Sequence, residues 1–394
     1  MIPIFCRNVI SIIKCAMTKE KLEPLQNVNF EEIYEFAQGA QVVPLLYYGL
    51  QDYPGFFDTV VGKKFFKSTM NYMMKSCEQM EELDRICSTL DEAGVSYMKL
   101  KGSILKAHYE YPEMRTMSDA DILVKVEEYE KLKEACQKIG YKKTDESDHE
   151  YIFVSDENKL DVEFHKWLIP SYNKDFFEYF GVGWDFAKKV DGKNSEYEMN
   201  DEDFFVYIFT HFAKHYRDSG VGIKYITDFY LYKKLKPNLD FDYINKAFEK
   251  LKIDKFWANV DKLLGVWFEG KESDDVIDHM TVKMFGSYTY GDLNHNYKSY
   301  ALKQTRQGKS KLGIKIARIW KIIFVPYGGM KHLYPVLEKA PYLLPFAWVY
   351  RWITVLLFRR KRIKKQFSDV NIISDEALKE HHNELTYVGL DYNF

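Results

Sequence analysis

Cysteine is scarce and unpatterned in this chain. The five that occur, Cys6, Cys15, Cys77, Cys87 and Cys136, show no C-x-x-C spacing and leave an odd count. That excludes a disulfide scaffold and a cysteine zinc cluster, and it points to reduced thiols in a cytoplasmic protein. A charge of one sign is also missing. Lys and Arg number 56 against 58 Asp and Glu, a net of −2, which excludes a nucleic-acid binder with a global positive field and leaves room for a local basic patch. There is no repeat of 20–50 residues and no low-complexity stretch, so solenoids and disordered tails are set aside. The opening MIPIFCRNVISIIKCAMTKEK has Arg7 inside its apolar stretch and no small-residue cleavage pattern. A secretory signal is therefore not expected, and an amphipathic first helix is.

What is present is a large apolar and aromatic content. Of 394 residues, 46% are hydrophobic and 29% charged, enough for a substantial core beneath a solvated surface; the length suggests roughly two to three domains. Thirty Tyr and 28 Phe imply aromatic packing between helices. From about Phe30 to Leu90 the apolar spacing is helical, and the Met70, Met73, Met74 and Met80 stripe reads as core filler. After Gly94 the pattern changes. Val95–Leu100 is a short strand, and Ser103–Tyr109 is a helix that Ser103 can cap. Asp119–Val126 reads as a buried strand, and Glu127–Ile139 as a helix stopped by Gly140. Tyr151–Val154 and Lys159–His165 are strands joined by a turn at Ser155–Asn158. Helical spacing resumes through Phe204–His215, Tyr225–Leu235 and Phe241–Leu264, with loops at Gly286-Ser287 and Gly291. Four regions follow: helical 1–92, an α/β core at 93–170, helical 171–290, and a helical 291–394 containing an apolar–basic segment.

The chemistry concentrates in the core region. Asp119 and Asp121 stand two apart on one strand, so both side chains leave the same face with Cα atoms about 7 Å apart. Asp161 and Glu163 repeat that spacing on a later strand. Clustered carboxylates resist ionising together unless cations offset them, and hard oxygen ligands suit Mg²⁺, which commonly also binds substrate phosphates. Upstream, Lys101-Gly102-Ser103 places a glycine at a strand-to-helix turn, where backbone N–H groups favour anions. Lys99, Lys101 and Arg115 add positive charge, and Arg115 can grip phosphate through two donors.

At these residues the sequence resembles a known family. Tyr97-Met98-Lys99-Leu100-Lys101-Gly102, then Tyr111-Pro112 and Arg115, then Ser118-Asp119-Ala120-Asp121-Ile122-Leu123-Val124 look like the polymerase-β-like nucleotidyltransferases. More narrowly they resemble the branch called uncharacterised nucleotidyltransferases, often bacterial. Val162-Glu163-Phe164-His165 is similar to its acid–apolar–His strand. His211, His215 and Gly222–Asp228 are similar to its helical part, and the likeness runs from about residue 30 to about 235. It implies an α+β fold, a small mixed-sheet core flanked by N-terminal and C-terminal helical regions. It also implies an NTP held by Gly102 and Ser103, Mg²⁺ or Mn²⁺ on Asp119 and Asp121, and a third acid that activates an acceptor hydroxyl. The interval from Ser103 to Asp119 is longer than usual for the superfamily. The third acid is either Glu163, where the family pattern lands, or Asp161 on the same face.

Other candidates are weaker. His211 and His215, four apart on a helix, have zinc-ligand spacing, yet no H-E-x-x-H pattern occurs. With His165 and Asp228 they are candidates for a second-substrate pocket. His381-His382 reads as solvent-exposed. Pro341–Phe358 is nearly all apolar and is followed by Arg359, Arg360, Lys361, Arg362, Lys364 and Lys365. Arg351 and Pro345 speak against a membrane span. The segment reads either as an interfacial helix on anionic lipid, with Trp348 and Trp352 at headgroup level, or as a helix docked on the protein. The expected activity is transfer of an NMP from an NTP to a hydroxyl on a small molecule or macromolecule. The competing expectation is a catalytically degenerate, membrane-associated nucleotide binder serving polysaccharide synthesis, at the inner face of the membrane. A third is a toxin-like enzyme acting on RNA or protein.

Overall fold

The computed structural model describes residues 1–157, 160–287, 293–358 and 374–392. It divides into two compact units, one formed mainly by residues 1–216 and 220–291 and the other mainly by residues 292–387. The fold class is α+β, with a mixed sheet flanked by helices, as the resemblance implied.

The first unit begins with the expected amphipathic helix α1 (Ile4–Thr18), followed by α2 (Phe30–Gly39), α3 (Val43–Leu50) and the long α4 (Val60–Ala93). Gly94, at φ 66°, closes α4 in the left-handed conformation that glycine adopts without a Cβ penalty. The methionine stripe on α4 is not core. Met73 and Met74 are exposed, and the inward positions nearby are Thr69, Ser76 and Gln79. The Gln79 amide donates to the Met117 carbonyl at 2.9 Å, so this helix face turns a polar side chain inward to satisfy a buried backbone oxygen.

Seven strands follow: β1 (Tyr97–Lys99), β2 (Asp119–Val124), β3 (Tyr141–Glu146), β4 (Glu150–Ser155), β5 (Asp161–His165), β6 (Lys188–Lys189) and β7 (Glu196–Glu198). Their order across the sheet is β3-β4-β5-β2-β1-β7-β6. β2 lies antiparallel to β1 and parallel to β5. The sheet therefore extends past residue 170 through β7, which pairs parallel to β1. Between the strands run α5 (Gly102–Leu105), α6 (Tyr129–Lys138) and α7 (Lys174–Phe180). Ser103 does not cap α5. The helix starts at Gly102, so the Ser103 hydroxyl lies inside the first turn, buried and without a partner.

One sheet face is apolar. Ile122 and Val124 of β2 and Val162 and Phe164 of β5 pack on Leu83, Ile86 and Leu90 of α4 and on Leu132 and Ala135 of α6. The period-2 alternation sends the neighbouring residues, including both D-x-D acids, to the opposite face. The helices α8 (Asp201–Asp218), α9 (Lys224–Leu235), α10 (Phe241–Leu251), α11 (Asp254–Glu269) and α12 (Asp275–Ser287) complete this unit, although residues 217–219 cluster with the other. The apolar run 241–264 is two helices, broken where Lys252 turns left-handed at φ 56°. Gly286-Ser287 ends α12 and is not a loop. Gly291 and Asn158 lie outside the described residues.

The second unit holds α13 (Leu293–Arg306), α14 (Lys311–Ile323), α15 (Tyr327–Leu333), α16 (Val336–Lys339), α17 (Leu344–Phe358) and α18 (Asp375–Tyr387). His381 is buried, contrary to expectation: its Nε2 lies 2.8 Å from Ser299 Oγ, and its ring meets His295 edge-on at 4.6 Å. The packing of α18 on α13 covers it. The basic run 359–365 lies outside the described residues.

Candidate active site

The parallel pairing of β2 with β5 sets Asp119 opposite Asp161 and Asp121 opposite Glu163, with Leu123 opposite His165. Paired residues in register share a face, so four carboxylates and an imidazole line one surface. Asp121, Glu163 and His165 offer ligand atoms that all lie within 4.8 Å of one another. Among the described residues this is the one group of three His, Cys, Asp or Glu side chains so disposed. Asp161, at the outer end of the pair, is exposed.

Lys101 reaches in from the turn after β1 and donates from Nζ to Asp121 Oδ1 at 2.7 Å. His165 Nε2 is 2.8 Å from the same oxygen. An ionised carboxylate only accepts, so the imidazole proton sits on Nε2 and Nδ1 is left bare and without a partner. Burial disfavours the charge on Asp121, but Lys101 and the His165 hydrogen bond reverse this and hold it well below the ordinary carboxylate value. Lys101 mirrors it: burial opposes its charge, yet Asp121 raises it above its ordinary value. Burial, followed by the Lys101 charge, keeps His165 below its ordinary value and hence neutral at physiological pH. Glu163 is the uncompensated member. Burial, then repulsion from Asp119 and Asp121, pushes its carboxyl up to about 8. Asp119 is also raised, by burial and then by Asp121.

The position of Glu163 has a consequence for stability. Its folded value lies above the ordinary 4.5, so between those two pH values the folded state retains a proton that the unfolded state has released. Stability that is full below pH 4.5 is lost as pH rises towards 8, by roughly a few kcal/mol. Urea midpoints of the metal-free protein are expected to fall across this window. Glu163→Gln, which cannot titrate, is expected to flatten the slope.

The turn itself is unusual. Lys101 is the residue with positive φ, at 43°, and not Gly102. A non-glycine held there costs on the order of 1–3 kcal/mol, and such residues cluster at functional sites. Gly102 is needed for space: a Cβ there would lie 2.8 Å from Arg115 Nη1. Arg115 is buried, and Asp228 of α9 takes its Nε at 3.1 Å and its Nη2 at 2.9 Å. Asp228 also accepts from Tyr109 at 2.8 Å, so the guanidinium has little room to retreat. Gly102→Ala is accordingly expected to cost about 1–3 kcal/mol through overpacking, read as a drop in thermal midpoint together with weaker NTP binding.

The remaining sequence candidates fall in different places. Lys99 stands opposite Ile122 in register, on the face away from the acids, and its Nζ pairs with Glu196 at 2.9 Å. His211 and His215 pack ring to ring at 4.4 Å on α8. Burial, then the charges of Lys101 and its other neighbours, push His211 well below its ordinary value. Sequence reasoning missed Glu150, which pairs with His165 across β4 and β5, and Tyr207, Lys224 and Tyr225, whose charges or dipoles act on the acids. Burial, then Arg115, lowers Lys224 to about 8. Lys224 and Tyr225 fall within the segment 222–228 that carries part of the resemblance, which was the available signal.

The chain matches the profile of a family described as uncharacterised nucleotidyltransferase over residues 26–269. The chain belongs to the uncharacterised nucleotidyltransferase family. No curated protein and no solved structure matches it. In a nucleotidyltransferase the acid surface between β2 and β5 has a natural use. Its donor set is hard and oxygen-rich, two of its carboxylates are raised by burial and then by repulsion from neighbouring acids, and one buried imidazole nitrogen is unpartnered. These residues fit a divalent cation.

Proposed function

We propose that the protein transfers an NMP from an NTP to a hydroxyl acceptor, with Asp119, Asp121 and Glu163 holding Mg²⁺ or Mn²⁺. The observation that carries this reading is the register pairing of Asp121 with Glu163, with His165 beside them, in a chain of this family. The bound cation supplies charge stabilisation at the transferring phosphate and its leaving oxygen. The chain's own residues do the rest. The turn Lys101–Ser103 receives the triphosphate, with Lys101 and Lys224 supplying positive charge near the acids. Arg115, clamped by Asp228, packs over Gly102 and fixes the shape of that turn. His165 holds Asp121 through Nε2–H. Glu163 is the third acid in preference to Asp161, because it stands opposite Asp121 while Asp161 is exposed beyond it.

In the reaction the acceptor oxygen bonds to the α-phosphorus, the bond to pyrophosphate breaks, and the hydroxyl proton passes to Glu163, whose carboxylate a bound cation would hold ionised. Tyr207, His211 and Tyr225 of α8 and α9 feel the charge of Lys101, and His215 packs on His211, so the acceptor or base would lie on this helical side. The test is turnover of a metabolite extract with labelled ATP, CTP, GTP and UTP in the presence of Mg²⁺, with the adduct identified by mass. Labelled NMP appearing in a product supports the reading; no transfer from any NTP overturns it.

A second reading, nucleotide binding without transfer, draws on one observation: the Lys101 ammonium already occupies Asp121 at 2.7 Å. Calorimetry with each NTP distinguishes the two. Binding with no Mg²⁺ dependence and no product is the signature of the silent binder.

A further inference from the structure

Two helices of the second unit turn apolar side chains to water. On α17, Phe346, Val349, Tyr350, Ile353 and Leu357 are 71%, 60%, 58%, 52% and 62% exposed. Their spacing of three and four places them in one stripe. The other side of α17 is tied down: the indoles of Trp348 and Trp352 donate to the carbonyls of Val325 and Ile323 at 2.8 and 2.9 Å, and Arg351 donates to Ile322 at 3.2 Å. The two tryptophans are thus held at the end of α14, not free for a headgroup layer. On α14 itself Leu312, Ile316 and Trp320, four apart, are 68%, 55% and 62% exposed. Helices that face water ordinarily show the reverse pattern, and contiguous exposed apolar stripes mark interaction surfaces.

Charge identifies the partner. Between Lys309 and Lys365 the sequence holds fourteen Lys and Arg and one acid, Glu338, a net of +13 in a chain whose total is −2. A second copy would set this density against itself, and like charges at close range repel. An anionic bilayer meets both demands, since apolar side chains enter the acyl boundary while lysine and arginine meet the headgroups. Over its described residues neither helix is long enough to cross it. The 15 residues of α17 span about 22 Å against a hydrocarbon core of about 30 Å, and among the described residues no helix is long and apolar enough to cross a membrane.

We propose that α14 and α17 form a platform that seats the second unit on the surface of an anionic membrane, with their exposed stripes in the interface. The test is flotation of the full chain with vesicles of phosphatidylcholine alone and of phosphatidylcholine with phosphatidylserine. Binding is expected on the anionic vesicles and weakened by salt. The paired substitutions Ile316→Glu with Trp320→Glu, and Phe346→Glu with Ile353→Glu, are each expected to weaken it on the order of a hundredfold. Because all four residues are exposed, the thermal midpoint should hold, which separates lost binding from lost folding. Flotation unchanged by both pairs, or equal on neutral and anionic vesicles, overturns the proposal. So does a dimer that these substitutions dissociate, or RNA retention that they abolish, without vesicle binding by the unaltered chain.

Discussion

Asp121→Asn is expected to reduce pyrophosphate release from an NTP by at least about a thousandfold, assayed below the thermal midpoint of the variant. Asparagine keeps the size of the side chain but removes the charge on which Lys101 at 2.7 Å and His165 at 2.8 Å both converge. Loss of a single preorganised electrostatic group typically costs 10²–10³ in rate, and a cation that loses a central carboxylate ligand costs more. The outer acid of the neighbouring strand, which stands opposite Asp119, sharpens the test. Asp161→Asn, exposed and two residues out, is expected to change turnover by less than about threefold, within the small effect usual for a surface charge. The readout is Mg²⁺-dependent pyrophosphate release by both variants alongside a thermal melt. Unchanged turnover in Asp121→Asn would remove the assignment of this site. Equal losses in both variants would move the third acid from Glu163 to Asp161.

The largest effect on stability is expected from Asp228→Ala. Asp228 is buried and accepts from Arg115 through two nitrogens and from the Tyr109 hydroxyl. Removing it leaves a buried guanidinium without its carboxylate, while the buried Tyr109 hydroxyl keeps only Thr227 at 2.9 Å. Breaking a buried ion pair on one side typically costs about 3–5 kcal/mol, because the stranded charge keeps its desolvation penalty. Urea or thermal unfolding of the full chain reads this directly. Replacing both partners with apolar residues, Arg115→Met with Asp228→Leu, is expected to recover part of the loss in stability. It should not recover NTP binding, since the guanidinium packed over Gly102 at the phosphate turn is then gone. A destabilisation below about 1 kcal/mol in Asp228→Ala would mean that the pair is solvated in solution.

The parts of the fold that could be read in advance were those with a local signal. β2 and β5 announce themselves by alternation and apolar content, and Gly94 and Gly140 mark helix ends by their left-handed conformation. β3 could not be read: five of its six residues are exposed, so no apolar face distinguishes it from a loop. β6 and β7 have two and three residues, too short for a period to appear. The methionines of α4 misled for a related reason. Hydrophobicity shows that a stripe exists but not which face of the helix the rest of the chain covers, and here the covered positions include Thr69, Ser76 and Gln79.

The sequence alone determined that Asp119 and Asp121 share a face, because a strand's two-residue period is a local property of the backbone. It also marked out Lys101–Ser103 as a turn and the basic, apolar stretch near the C-terminus as exceptional. Only the tertiary structure decided what meets the D-x-D pair. The strand register brings Glu163 and His165 to Asp121, and the positive φ of Lys101 aims its ammonium at the same oxygen. It also decided that Arg115 grips Asp228, 113 residues away. Pairing register and side-chain partnership depend on which surfaces the chain buries together, and that global condition leaves no trace in the spacing of neighbouring residues.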